Sequence, residues 1–361
     1  EFYVMGGRAP KQFPLAFGDS NFFNDVWKSE DGGISWRQQT EETGAPWAAR
    51  AYFQTVTKNK FMYVIGGQDS TAIPNPQPGC DAQQNPEAPF PPVCPPFVLA
   101  STFFNDVWRS QDGENWELMT ANAPWTGRAG LSAVVLHNWI YVMGGSVNDD
   151  SAIIGEGGPQ RLYFNDVWRS RDGSKWSLVT KNAPWAPRAG SVVVKKGGSM
   201  YLLGGEDGFI CNAQTPRCPP YFNDVWKSKN GEDWKLVTAK AGWSPRPGHQ
   251  CEILKNRFVC FGGFGISTDP SNPFQPSNPM DIWVSKNGTL WTELTTPNTT
   301  PWQATSPADI KYDFAAFTAN DVNGMNGPSI ITLGGDRETF SPFDFNNFLK
   351  IDNDVWQFHA R

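Results

Sequence analysis

Short apolar runs recur along the chain, each broken by glycine or a polar turn, and they are spaced for strands, with no helix pattern between them. One recurrence shows the plan. Residues 128–136 form an apolar run, His137-Asn138 a turn, and 139–143 a second run closed by Gly144-Gly145. After the connection 146–163, residues 164–170 predict a third strand, Arg171-Asp172-Gly173 a turn, and 175–180 a fourth. The pattern predicts a four-stranded antiparallel meander, with strands a to d.

The meander is repeated six times. Strand b ends on a glycine pair in every copy: Gly6-Gly7, Gly66-Gly67, Gly144-Gly145, Gly204-Gly205, Gly262-Gly263 and Gly334-Gly335. Strand c carries Asp-Val-Trp or Asp-Ile-Trp at Trp27, Trp108, Trp168, Trp226, Trp283 and Trp356. Small sheets repeated about every 60 residues point to radial repetition, in which each sheet covers its faces with its neighbours. The expected architecture is all-β, one six-bladed β-propeller over residues 1–361. Its units fall near 1–46, 47–124, 125–184, 185–242, 243–301 and 302–361.

Further marks recur with the repeat. An Arg precedes strand a at Arg50, Arg128, Arg188 and Arg246. Asn-Asp opens strand c at Asn24-Asp25, Asn105-Asp106, Asn165-Asp166, Asn223-Asp224 and Asn353-Asp354. A Trp opens strand d at Trp36, Trp116, Trp176, Trp234 and Trp291. With these marks the chain resembles the kelch family of β-propellers over almost its whole length. The resemblance implies the fold and leaves the activity open, since propellers serve as enzymes, receptors and scaffolds. The c-to-d turn from Ser29 to Trp36 also resembles the Asp-box of sialidases and related carbohydrate-active propellers, S-x-D-x-G-x-[ST]-W. The other four such turns are one residue shorter. That resemblance implies a turn held by carboxylate-to-backbone bonds, with no catalytic role.

The strand count is uneven. The first unit opens on strand b at residues 2–5 and the sixth ends on strand c at 354–358, so strand a of the first blade and strand d of the sixth are expected to be missing. These two strands are consecutive in the repeat. One segment of about 25 to 30 residues before Glu1 would supply both. A strand lent by another chain would be the alternative, leading to self-assembly.

Charge and cysteines narrow the setting. The formal net charge is −6 and no basic cluster occurs, which disfavours nucleic acid and anionic membranes as partners. No apolar run is long enough to span a bilayer, so membrane insertion is not expected. The six Cys fall in three close pairs, Cys80 with Cys94, Cys211 with Cys218 and Cys251 with Cys260. The spacing favours three local disulfides over zinc. Sequons at Asn287 and Asn298 fit the same oxidising route, and together they predict a secreted or cell-surface glycoprotein.

The b-to-c and d-to-a connections emerge on one face, and that face is the candidate site. Its b-to-c insertions are 8–22, 68–103, 146–163, 206–221, 264–280 and 336–352, read as long loops rich in Pro, Phe and Asn. Arg50, Arg128, Arg188 and Arg246 either form a positive ring for an acidic ligand or pair with a strand-c Asp of a neighbouring blade, such as Asp106 or Asp166. The sixth blade shows Trp302 and Ser306-Pro307 with no equivalent Arg before Lys311. The residue after each glycine pair differs: Arg8, Gln68, Ser146, Glu206, Phe264 and Asp336. These are candidate ligand contacts.

Enzymatic signatures are sparse. The copper-radical site of galactose oxidase needs His and Cys-linked Tyr ligands that His137, His249 and His359 do not supply. The E-x-x-x-D-x-x-x-H iron site of nitrile-specifier proteins is absent, as are G-x-S-x-G and P-loop motifs. A mutarotase-like or lyase-like propeller remains the alternative, with Glu206, Asp336 or His249 as acid or base. No cofactor is expected. Asn148-Asp149-Asp150 is a weak calcium candidate. The reading that results is a non-catalytic extracellular module binding a glycan or a protein partner, with a carbohydrate-active enzyme as its rival.

Overall fold

The computed structural model describes residues 1–11, 19–75, 96–148, 160–208, 220–265, 281–294, 311–337 and 350–359. Cys80, Cys94, Cys211, Cys218, Asn298, Asp149 and Asp150 lie outside them.

Six antiparallel sheets follow one another around an axis, forming a β-propeller. The second blade orders its strands as Gln54–Lys58, Phe61–Ile65, Val107–Ser110 and Trp116–Thr120. The third runs Ser132–Leu136, Trp139–Met143, Val167–Ser170 and Trp176–Thr180, and the fourth Val192–Lys196, Ser199–Leu203, Val225–Ser228 and Trp234–Thr238. The fifth has Gln250–Leu254, Arg257–Phe261, Ile282–Ser285 and Thr292–Glu293. Among the described residues, the first blade holds three strands, β1 (Phe2–Pro10), β2 (Ser20–Ser29) and β3 (Arg37–Gln38). The sixth also holds three: Ala315–Asn320, Pro328–Asp336 and Ile351–His359.

In the second to fifth blades the a-to-b hairpins are two-residue turns with both residues at positive φ. His137 and Asn138 stand at 48° and 66°, and Asn59, Lys60, Lys255 and Asn256 adopt the same region. This turn matches the right-handed strand twist and fixes the register Leu136 opposite Trp139. Strand b then lies sandwiched, which is why it is apolar on both faces: Ile140 to Met143 are all buried, as are Ser199 to Leu203.

Packing between blades forms the core. One cluster joins Val134, Tyr141, Met143 and Val167 of the third blade to Met200, Leu202 and Trp234 of the fourth. Among the described residues, four d-to-a connections each contribute a fully buried Trp that meets the Trp opening strand d edge to face: Trp47 with Trp116 at 5.8 Å, Trp125 with Trp176 at 6.1 Å, Trp185 with Trp234 at 5.8 Å and Trp243 with Trp291 at 6.0 Å. Each indole removes roughly 200 Å² from water, worth about 5 kcal/mol before entropy is charged against it. The strand-c Asn ties this connection down. Asn165 Nδ2 donates to the carbonyls of Ala183 and Trp185 at 2.9 and 3.1 Å, and Asn24, Asn105 and Asn223 repeat the pattern.

The c-to-d turns have one chemistry. Asp31 accepts from the backbone of Ile34 and Ser35 and from the Ser35 hydroxyl, and Trp36 Nε1 donates to the Gly33 carbonyl at 3.1 Å. Asp112, Asp172, Asn230 and Asn287 occupy the same place in the shorter turns. The Ser35 bonds hold Asp31 down to about 2. At Asp112 burial opposes ionisation, and bonds from Asn115 and Glu114 outweigh it, again to about 2. The turn glycines also key blades together, since a Cβ on Gly173 would lie 3.0 Å from Tyr63 in the preceding blade.

Two expectations change in detail. The insertion 68–103 is no featureless loop: Gln68–Pro74 pairs with Phe97–Phe103 as a ribbon standing on the face. A shorter ribbon pairs Ser146–Val147 with Leu162–Tyr163. Of the proposed disulfides, Cys251–Cys260 lies within the described residues, linking directly opposed strand residues with Cα atoms 4.1 Å apart.

Candidate functional site

Two layers close the axis at the insertion face. The outer one is a ring of arginine rivets. Arg50, Arg128, Arg188 and Arg246 are 0%, 1%, 0% and 2% exposed, so they present no charge at the mouth of the channel. Arg128 Nη1 and Nη2 bind Asp166 Oδ1 and Oδ2 at 2.5 and 3.0 Å, Nη1 also reaches the Gly144 carbonyl at 3.0 Å, and the guanidinium lies 3.8 Å from the Phe164 ring centre. Arg50 pairs likewise with Asp106, Arg188 with Asp224 and Arg246 with Asp281. Each partner belongs to the same blade as its Arg, so the pairing across blades expected from the sequence is not what forms. The Arg backbone makes the link between blades instead: Gly67 N–H donates to the Arg128 carbonyl at 2.9 Å, and Gly145 to that of Arg188 at 2.8 Å.

Lys311 is the rivet of the sixth blade, which the sequence reading missed. It is 1% exposed, its Nζ binds Asp354 at 2.5 Å and Asp352 at 3.1 Å, and its carbonyl accepts from Gly263 N–H at 2.8 Å. Arg337 also binds Asp352. The signal was present in the sequence. A cation stands four residues before strand a in each case, at Arg50, Arg128, Arg188, Arg246 and Lys311, with strands beginning at Gln54, Ser132, Val192, Gln250 and Ala315.

The inner layer is a backbone ring. Gly130 N–H donates to the Tyr52 carbonyl at 2.9 Å, Gly190 to Gly130 at 3.0 Å, Gly248 to Gly190 at 3.1 Å and Asp313 to Gly248 at 2.9 Å. All five residues hold positive φ, which costs glycine little and strains Tyr52 (55°) and Asp313 (48°). Those two side-chain-bearing members flank the first blade. There Arg8 spans the interval: its Nε donates to the Tyr52 hydroxyl at 2.6 Å, Nη1 to Ser20 at 3.0 Å and Nη2 to Asp336 at 2.5 Å. One side chain thus joins the first, second and sixth blades.

The other candidates surround this ring. Gln68 and Glu206, 3% and 8% exposed, exchange paired backbone bonds with Ala51 and Ala189, and a Cβ on Gly190 would lie 3.5 Å from Glu206 Oε1. Asp336 is paired in the same way with Tyr312. Phe264 packs on Tyr312 and Tyr221 with ring centres 5.3 and 6.2 Å away. His249 stands apart, 1% exposed against Trp243, and neither ring nitrogen makes a hydrogen bond of good geometry. Burial first, then the charge of Arg246, hold its pKa down to about 3, so it is neutral. Among the described residues no group of three or more His, Cys, Asp or Glu is placed to hold a metal.

This architecture is shared. Against the solved structure of YjhT, the chain has a TM-score of 0.59 at 16% sequence identity, covering 92% of this chain and 88% of that one. At that identity the likeness to YjhT shows the fold alone. No protein-family profile and no curated protein sequence matches the chain.

Proposed function

We propose that this propeller is kelch-type, with Asp-box-like c-to-d turns, and that it works outside the cell as a non-catalytic recognition module. It takes a glycan on the face carrying the insertion ribbons; a protein surface is the other class of partner that face would serve. One observation carries this reading. Every recurring mark is used structurally, as rivet, cap or turn, whereas the residue after each glycine pair is different in every blade and sits beside the axis ring. Repetition accounts for the scaffold, and the divergent positions are what a ligand would distinguish.

Two of the three candidates for acid or base are held in other roles, which supports the non-catalytic side. Asp336 is ion-paired to Arg8, and His249 is buried and neutral. The disulfide Cys251–Cys260 supports an oxidising compartment. The Asn287 sequon lies on an exposed turn, where the side-chain carbonyl accepts from Thr289 and Leu290 at 2.9 and 3.1 Å, and this exposure is compatible with glycosylation.

A glycan array followed by calorimetry tests the reading. Expected is saturable binding, weakened at least tenfold by Glu206→Gln or by replacing Gln68, with the glycan recovered unchanged. Turnover of a bound glycan, lost in Glu206→Gln or Asp336→Asn, would transfer the chain to the carbohydrate-active enzymes.

A further inference from the structure

The end of the propeller opposite the insertions is formed by the a-to-b and c-to-d turns, and there the blades differ in charge. In the second blade, segments 58–61 and 109–117 hold three Lys or Arg against three Asp or Glu. Two of those cations are engaged: Arg109 pairs with Glu117 at 2.7 Å, and Lys58 Nζ donates to the Arg171 carbonyl at 2.7 Å. In the first blade Lys28 pairs with Glu30 at 2.6 Å. Segments 169–175, 195–199, 227–235 and 254–257 of the third to fifth blades instead hold ten Lys or Arg against three Asp or Glu, a net of +7 on a chain whose formal net charge is −6. No single run of sequence shows this excess; the fold gathers it from separate turns. The turns adjoin, since a Cβ on Gly198 would lie 3.7 Å from His137 Nε2 and one on Gly231 2.9 Å from the Tyr141 ring.

The excess is left unneutralised and is held in place. Asp172 already accepts from the Ser174 backbone and hydroxyl at 2.9 and 2.8 Å, and Asp233 from Asn230 Nδ2 at 2.9 Å. Among the described residues Arg169, Arg171, Lys195, Lys196, Lys227 and Lys229 have no carboxylate partner. Four of the six lie over rings: Arg169 and Arg171 are 4.5 and 4.2 Å from the Trp139 ring centre, Lys227 is 5.2 Å from that of Tyr201 and Lys196 5.6 Å from that of Phe258. A ring face positions a cation without cancelling its charge, which lowers the ordering cost when an anion arrives.

We propose that this turn face of the third to fifth blades binds a linear sulfated glycan. Arg169 and Arg171 offer planar donor pairs suited to sulfate oxygens, and the four lysines extend the positive field along the chain of sulfates. The rings argue against nucleic acid, because they are used to hold cations and Tyr201 and Phe258 are buried, leaving no platform on which bases would stack. An anionic bilayer is disfavoured as well: none of the exposed large apolar side chains falls within these four segments. The face lies at the other end of the molecule from the glycan contacts proposed above and does not depend on them.

The probe is a heparin dodecasaccharide, titrated into the 361-residue protein by calorimetry, with its fully desulfated counterpart and a duplex DNA of equal charge as comparisons. Saturable binding is expected for the sulfated chain, at least tenfold tighter than for either comparison. Arg171→Gln combined with Lys229→Gln, both at exposed turn positions, should weaken it at least tenfold. Lys181→Gln combined with Lys240→Gln removes the same charge from exposed positions at the insertion end and should leave it unchanged. No binding, equal binding of the desulfated chain or of DNA, or equal losses in the two double variants overturns the proposal. The desulfated arm leaves the protein untouched, so a folding defect in a variant cannot mimic the expected result.

Discussion

Glu252 stands in the strand Gln250–Leu254 and His249 just before it, and the two titrate in opposite senses. Burial holds His249 at about 3 against an ordinary 6.5, so above 6.5 its contribution is complete. As pH falls from 6.5 toward 3 the unfolded chain takes the proton first, and stability declines by up to about 1.4 kcal/mol per unit. Burial pushes Glu252 up to about 7 from 4.5, with the Thr318 hydroxyl opposing; its stability is complete below 4.5 and is lost as pH rises through 7. Between 4.5 and 6.5 the two slopes oppose each other, and partial exposure of Glu252 reduces its share. Glu252→Gln is therefore expected to fall more steeply in stability than the parent on acidification from 6.5 to 4.5, read from urea midpoints. Identical profiles would refute the coupling. Neither shift was visible in the sequence, because both depend on which face of the strand meets the next blade. The rivets show the reverse case: Arg128 and Asp166 were each marked by the repeat and fall in one unit, and only their pairing with each other needed coordinates.

At the scale of the element, strands and turns were largely legible. The third meander was read to within a few residues because His137-Asn138 and Asp172-Gly173 are turn chemistry, while glycine pairs and Trp end and open strands. The insertion ribbons were not legible, since Gln68–Pro74 and Phe97–Phe103 pair across a long separation and only faint alternation marks them. What the turns do beyond turning was hidden as well. Gly231 holds φ at 79°, and a Cβ there would stand 2.9 Å from the Tyr141 ring of the preceding blade. Gly231→Ala therefore combines backbone strain with an interblade clash, and a loss of about 1–3 kcal/mol is expected in denaturant unfolding. The same substitution at Gly197, at φ 54° with nothing within 4 Å of the added Cβ, carries the strain alone and should cost less. Equal losses at both sites would show that the turn does not key the blades.

Across the whole molecule, closure of the ring is uneven. From the second blade to the sixth, neighbours are joined by strand-a packing, by Gly-to-Arg or Gly-to-Lys backbone bonds and by the axis ring. Between the sixth and the first, the described links are side chains: Phe2 on Phe317 at 4.8 Å, Val322 and Asn323 under Gly32, and Arg8 on Asp336. Side-chain links of this kind open at lower cost than a packed strand layer with a backbone ladder, so local opening should begin at this seam. Native-state hydrogen exchange is expected to be fastest in β1 and in Ile351–His359, and slowest in the buried b strands Trp139–Met143 and Ser199–Leu203. Arg8→Met removes three polar links at once and leaves Asp336 without the guanidinium that pairs with it. It should speed exchange in the first and sixth blades by tenfold or more while leaving the third and fourth unchanged. Uniform acceleration around the ring would mean that the propeller opens as one cooperative unit and that the seam has no separate stability.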